Sequence, residues 1–405
     1  ELAERHGREQ EPNARRKKRL HRGPGGQNDQ RPHGIAEGMH IPAWGFASFL
    51  ALLVAGCPGQ TSIVQTPVVS PPSDGGSSLT SCLPQRSLDL VQYLRELPFV
   101  GRDGGPMIPV SRGTTQWMSA YSTALAWASA DCPSFMAYAD AMGYKAEEIT
   151  DTVTQTRHWV LTERASRWNG FFVLRAPSEV AKARPLTITA PHLGYDFGDD
   201  RALILYRELG ALGLLQNTAH RCNLATCSGC TAFAGYACSG CPRASDLAHS
   251  VDHLMFALFS GLEAMHKVVR FEYHGAAEHQ SSPDCSSTVN LSQGTTEKLP
   301  PEVDDKTPAS RMWKALERSL GPRCVCYHQR ESACVLPGTN SVFGRLTNQE
   351  PTIPFDPCTT AAARSSGRFI HFEGQSVAVE RVIAALSEAV PMPTPRPLPV
   401  VPPHP

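Results

Sequence analysis

Excess charge, aromatic rings and long apolar runs are all scarce in this 405-residue chain. Lys plus Arg and Asp plus Glu each number 38, so no net field draws in a polyanion. Nucleic acid is therefore not expected as a partner. Aromatics make up 7% of residues, and Trp117, Tyr121 and Leu125 fall at helical spacing, which reads as core rather than a ligand platform. There is no Gly-x-Ser-x-Gly elbow, which argues against a serine hydrolase. The glycines at 101–105 lack the Lys-Ser/Thr of a phosphate loop, so nucleotide binding is unsupported. The uncharged run Ile41 to Ala55 is 15 residues long. That is short of the roughly 20 needed to span a bilayer.

Such a length suits the apolar region of an export signal. Val54-Ala55-Gly56 runs directly into Cys57, which resembles the lipobox of bacterial lipoproteins. The resemblance implies an acylated Cys57 and a cell-envelope protein held to a membrane by lipid. A simple cleaved signal, or a buried apolar helix, are the alternatives. Residues 1–38 carry nine Lys/Arg and six Asp/Glu, and read as a basic extension or as sequence upstream of a start at Met39. Without them, 29 basic and 32 acidic residues remain. Residues 58–81 form a Pro/Ser/Gly spacer, and 391–405 a Pro-rich tail unable to pack. Between these lie a helical segment at 82–165 and an α/β domain at 166–390.

Cysteine, by contrast, is plentiful. Twelve remain after Cys57, an even number that suits disulfides in an oxidising compartment. Five fall in 222–241, including CSGC at 227–230 and again at 238–241. The repeats look like zinc-ribbon knuckles, but the seven residues between them are short for such a site, where about 15–20 are usual. A disulfide-stapled loop, a structural zinc and a redox pair all remain open.

Helical and strand-like runs alternate after residue 165. GFFVLR (170–175), PLTITAP (185–191), LLQNT, VVRFEYHG and RFIHFE read as strands. Asp199/Asp200 precede a helix through RALILYRELG, and Ser245 is expected to cap a long one through DLAHSVDHLMFALFSGLEAMHK. ASRMWKALERSL and SVAVERVIAALSEAV supply two more. The expected fold class is α/β, a three-layer α/β/α sandwich with a mostly parallel sheet. Upstream, Ser87 is expected to cap a helix over LDLVQYLREL, with two further helices at 114–130 and 134–143.

Ligand sites in such sheets gather at the carboxyl edge of the strands. His192 follows one predicted strand, His274 ends another, Asp196 shares the loop of His192, and Glu373 ends RFIHFE. Two imidazoles and a carboxylate suit an open zinc site with water in the fourth position, and Glu373 could take that water's proton. His249 and His253 have the i, i+4 spacing of zinc-protease helices. Ser250 stands where that motif needs Glu, so His249 reads as a surface partner of Asp246 or a support to a ligand, with a direct metal role as the alternative.

PHLGYD at 191–196 and EYHGAAE further on resemble elements of the N-formylglutamate amidohydrolase family, zinc amidases with a carboxypeptidase-like fold. The resemblance spans roughly half the chain. It implies one zinc ion held by His192, Asp196 and His274, with Glu373 as general base. It also implies Arg221 or Arg345 as a fork for a substrate carboxylate. The Cys-rich insertion and the export signal depart from that family's pattern. Two functions are therefore expected in competition: a lipid-anchored zinc hydrolase of N-acyl amino acids or peptide-like amides, and a non-catalytic surface lipoprotein that uses the same fold for binding.

Overall fold

The computed structural model describes residues 82–192, 200–230, 238, 240–275, 289–331, 334, 338–349, 356–374 and 377–394. The expected leader with Cys57, the 58–81 spacer, Asp196, Cys285 and the tail from residue 395 lie outside the described residues.

In chain order the elements are β1 (Gln85–Leu88), α1 (Leu90–Arg95), α2 (Thr115–Ala128), α3 (Cys132–Ala141), β2 (Tyr144–Asp151), β3 (Arg157–Glu163), β4 (Phe171–Arg175) and β5 (Arg184–Ala190). Next come α4 (Arg201–Leu209), β6 (Ala211–Gln216), α5 (Leu254–Met265), β7 (Val269–His274), β8 (Val289–Ser292) and α6 (Pro301–Asp304). The series ends with α7 (Pro308–Leu320), β9 (Val325–Tyr327), α8 (Val342–Thr347), β10 (Phe369–Glu373) and α9 (Val379–Ala389).

One ten-stranded sheet runs β1-β2-β3-β4-β6-β5-β7-β10-β8-β9. Its centre, β6-β5-β7-β10, is parallel, whereas β2, β3, β4 and β6 pair antiparallel. Apolar side chains of α2, α3, α5 and α8 pack one face, and those of α1, α4, α7 and α9 pack the other. The α/β fold and its three layers follow. Because helices cover both faces, the central strands are buried throughout, as a parallel sheet requires.

Three local readings need correction. The 82–165 segment is not only helical: it adds β1, β2 and β3 to the sheet. The charged run YKAEEITD hides β2, because Lys145 and Glu147 pair along one side while Glu148 accepts from Trp159 Nε1 at 3.1 Å across to β3. Asp89, not Ser87, caps α1, its carboxylate accepting from the Val91 and Gln92 amides. The expected helix from Ser245 is broken. A 3₁₀ turn covers Leu247–His249, and α5 starts at Leu254 with His253 as its N-cap.

Five described disulfides join Cys82–Cys132, Cys222–Cys238, Cys227–Cys241, Cys230–Cys358 and Cys326–Cys334. All five cysteines of 222–241 are thereby paired, and paired sulfurs are not the thiolates a zinc ribbon needs. The pairing suits an oxidising, extracellular-type compartment. No described helix is long and apolar enough to cross a membrane.

Candidate metal centre

Strand alternation builds the site. On β7, Phe271 and Tyr273 enter the apolar core on one face, so Arg270, Glu272 and His274 point to the other. On β10, Ile370 and Phe372 likewise free His371 and Glu373. The parallel register sets Glu272 beside His371 and His274 beside Glu373. On the other flank β5 ends at Ala190, two residues before His192. Past β6, the chain reaches Arg221 and then the disulfide-laced loop that returns at Asp246.

Asp246, 1% exposed, is the hub of the outer half. Its Oδ1 lies 2.8 Å from His192 Nε2 and 3.0 Å from His249 Nδ1. Its Oδ2 accepts from Arg221 Nε at 3.0 Å and Nη2 at 2.5 Å. Burial pushes the Asp246 carboxyl up, but Arg221, then His249 and His192, outweigh it and hold the group well below the usual carboxylate range. Glu272 anchors the inner half. Its Oε1 is 2.7 Å from His274 Nε2, and its Oε2 accepts from Ser341 Oγ, the α8 cap, at 2.6 Å. Burial raises this carboxyl too, and the His274 hydrogen bond and neighbouring imidazoles bring it below its ordinary value.

Ionised carboxylates only accept, so Nε2 carries the proton in both His192 and His274. Their Nδ1 atoms then present lone pairs to one another, and they stand 2.9 Å apart. Two lone pairs at that distance need a proton or a cation between them. Tetrahedral zinc holds ligand nitrogens about 3.3 Å apart, within a few tenths of an ångström of what is seen. Each imidazole is also oriented by a buried carboxylate, the usual support of a metal-bound histidine. Charge points the same way. Buried Glu272 has no Lys or Arg partner among the described residues, where its contacts are imidazoles and a hydroxyl. The donor set therefore fits a divalent cation. Two other triples, His192 with Asp246 and His249, and Glu272 with His274 and His371, also bring ligand atoms within 4.8 Å. Their close carboxylate contacts are hydrogen bonds already made, so the Nδ1 pair is the better cation seat.

Of the residues expected from sequence, His192, His274, Arg221 and Glu373 converge on this edge. Glu373 Oε1 sits 3.4 Å from His371 Nε2. Asp196 lies outside the described residues. Arg345 is corrected: it is 1% exposed, and its guanidinium serves the carbonyls of Thr339, Pro357 and Cys358, so a substrate carboxylate has no access to it. His253 is also structural. Its Nδ1 accepts from the Phe256 amide at 3.0 Å and its Nε2 faces the Ser250 carbonyl at 2.8 Å.

Sequence reasoning missed two members, Glu272 and His371, and named Asp246 only beside His249, as a surface pair or a contact to a metal ligand. Glu272 and His371 sit inside strands, where the alternation R-F-E-Y-H and F-I-H-F-E was the available signal. Burial drives the His371 imidazole down to about 3, and its Nδ1 has no hydrogen-bond partner among the described residues. Asp246 is 54 residues from His192, and its only sequence cue was its spacing from His249.

No protein-family model matches the chain, and no curated protein matches it. Among solved structures, one from Shewanella amazonensis SB2B described as a "putative metallopeptidase" aligns at 9% identity over 70% of this chain and 96% of its own, with a TM-score of 0.27. Another so described, from Shewanella denitrificans OS217, aligns at 11% identity over 68% of this chain and 88% of its own, with a TM-score of 0.24. At such scores neither likeness carries an argument about chemistry.

Proposed function

We propose that this chain is an exported, lipid-anchored, zinc-dependent hydrolase of an amide bond in an N-acyl amino acid or a peptide-like substrate. The observation that carries the reading is the facing Nδ1 pair of His192 and His274, each backed by a buried carboxylate. His192 and His274 hold the ion, with Asp196 completing the set as the amidohydrolase resemblance implies. When bound, zinc supplies Lewis acidity and brings the pKa of its water down to about 7.

The protein's own groups do the rest. Glu373, next to His274 in register, takes the first proton from the attacking water and returns it to the leaving nitrogen. Arg221 is clamped by Asp246 through Nε and Nη2, which leaves Nη1, 3.4 Å from His192 Nδ1, as its closest approach to the ion seat. From there it meets a substrate carboxylate or carbonyl. Acylated Cys57 keeps the enzyme at the envelope, in the compartment the disulfides suit.

Metal analysis of the purified chain tests this. About one zinc per chain is expected, lost in His192→Ala and His274→Ala and retained in Glu373→Gln, which loses hydrolysis of N-formyl and N-acetyl amino acids. Retention of zinc in both histidine variants sinks the proposal. Zinc with no hydrolysis across that panel, and no effect of Glu373→Gln, instead favours the binding lipoprotein.

A further inference from the structure

We propose that His249 is a further catalytic residue of this centre, accepting the second proton of the attacking water as the amide breaks. The inference rests on the hydrolase reading above and gives a task to an imidazole which that reading leaves idle.

His249 is held in place from three sides. Its Nδ1 faces Asp246 Oδ1 at 3.0 Å, its amide donates to the Asp246 carbonyl at 2.9 Å, and its own carbonyl accepts from Ser228 Oγ at 2.6 Å. Ser228 belongs to a loop closed by Cys227–Cys241 and Cys230–Cys358. The ring lies nearly parallel to that of His192, 21° between planes and 6.4 Å between centroids. Yet the side chain is 17% exposed, whereas His192, His274 and His371 are 2%, 4% and 6% exposed. Asp246 shares one oxygen between His192 and His249, so both rings are oriented by the same carboxylate. Because Nδ1–H is committed to Asp246, Nε2 carries the lone pair, and it takes no partner among the described residues. The structural His253 uses both nitrogens. His249 uses one.

The proton balance of amide hydrolysis needs such a group. Water forms the new C–O bond and gives one proton to Glu373. The resulting tetrahedral species still carries a hydroxyl, which donates to Nε2 of His249. As the C–N bond breaks, the Glu373 proton goes to the departing nitrogen. The hydroxyl proton passes to His249, leaving a carboxylate, and His249 then releases that proton to the amine or to solvent. Both protons of the water are placed, and no oxidant or reductant is required.

The test uses the full chain loaded with cobalt(II), and inorganic phosphate as a tetrahedral probe that carries both an anionic oxygen and a hydroxyl. Wild type is expected to bind one cobalt per chain and to change its visible spectrum on phosphate addition. His249→Ala is expected to keep the cobalt and the melting temperature but to weaken phosphate at least tenfold. His249→Gln, which keeps an acceptor, is expected to recover part of the affinity. On substrate, His249→Ala is expected to lower kcat by about 100-fold with little change in KM. Unchanged phosphate affinity in cobalt-loaded His249→Ala overturns the role, as does a wild-type spectrum that ignores phosphate. Loss of cobalt in His249→Ala also overturns it, in favour of His249 as a metal ligand. Failure of wild type to bind cobalt removes the hydrolase reading itself, and this role with it.

Discussion

The two ends of β7 carry buried charge for opposite purposes. At the start of the strand, Glu263 of α5 is surrounded by Arg270, Arg368 and Lys267 at 2.9, 2.6 and 3.3 Å. Arg270 also donates to Thr187 Oγ1 and the His266 carbonyl, so its guanidinium is well supplied with acceptors. That cluster has a cation for its carboxylate and more. At the other end, the described partners of Glu272 are His274, Ser341 and His371. Two residues along the same strand face thus separate a carboxylate held by three cations from one with no Lys or Arg partner among the described residues. The lesson is that burial of a carboxylate alone does not mark a site. A buried carboxylate whose neighbours are imidazoles does.

The largest expected effect falls on the cation-rich end. Glu263→Gln leaves Arg270 buried without its partner and is expected to cost about 3–5 kcal/mol of stability. Urea unfolding measures that, and zinc content should not change. Should Glu263→Gln lower zinc content while leaving stability intact, the two clusters are not separate in purpose. Next in size are Glu272→Gln and Asp246→Asn, which free an imidazole ring from its support. Each is expected to weaken zinc about 10–100-fold in a chelator competition, with a smaller loss of stability than Glu263→Gln. Equal zinc affinity in both would make these carboxylates structural and erase the contrast.

Much of this was legible in the residues. VRFEYH and RFIHFE show their period of two, and His192 and His274 stand where a parallel sheet gathers its ligands. The helices over RALILYREL and VERVIAALSEA likewise show their apolar stripes. What failed did so for physical reasons. Glu147 and Glu148 leave β2 without apolar alternation, so nothing marked it as a strand within the 82–165 segment, although it lies between β1 and β3 with its charges paired along the sheet. Arg345 looked like a substrate fork because nothing local says that its partners are backbone carbonyls at 357 and 358. Asp246 was visible beside His249, but its approach to His192 was hidden by the loop that delivers it. Three disulfides route the chain from Arg221 out and back, and Ser245 Oγ closes the return by donating to the Arg221 carbonyl at 2.9 Å. Tertiary closure over such a loop has no periodic signature.

The smallest effect separates structural imidazoles from those of the site. Burial drives His158 down to about 3 and His253 to about 4, and neither touches the Nδ1 pair. His158 sits between Tyr206 and Thr156 at 2.7 and 2.8 Å, and His253 caps α5. Both are neutral when folded and regain an ordinary value near 6.5 when unfolded, so the unfolded chain binds more protons below that pH. Their stabilising effect is complete above about pH 6.5 and is lost as pH falls toward 3–4. Between pH 6.5 and 5.5 each is expected to remove about 1 kcal/mol of stability. Urea midpoints across that range, in protein stripped of metal by chelator, measure the slope. His253→Asn retains an N-cap acceptor and is expected to take its own share, about 1 kcal/mol, out of the change across that range, beside the shares of His158 and His371, whatever it does to the absolute midpoint. An unchanged slope in His253→Asn would mean that the acid sensitivity arises in the metal centre, and the division between structural and functional imidazoles would have to be redrawn.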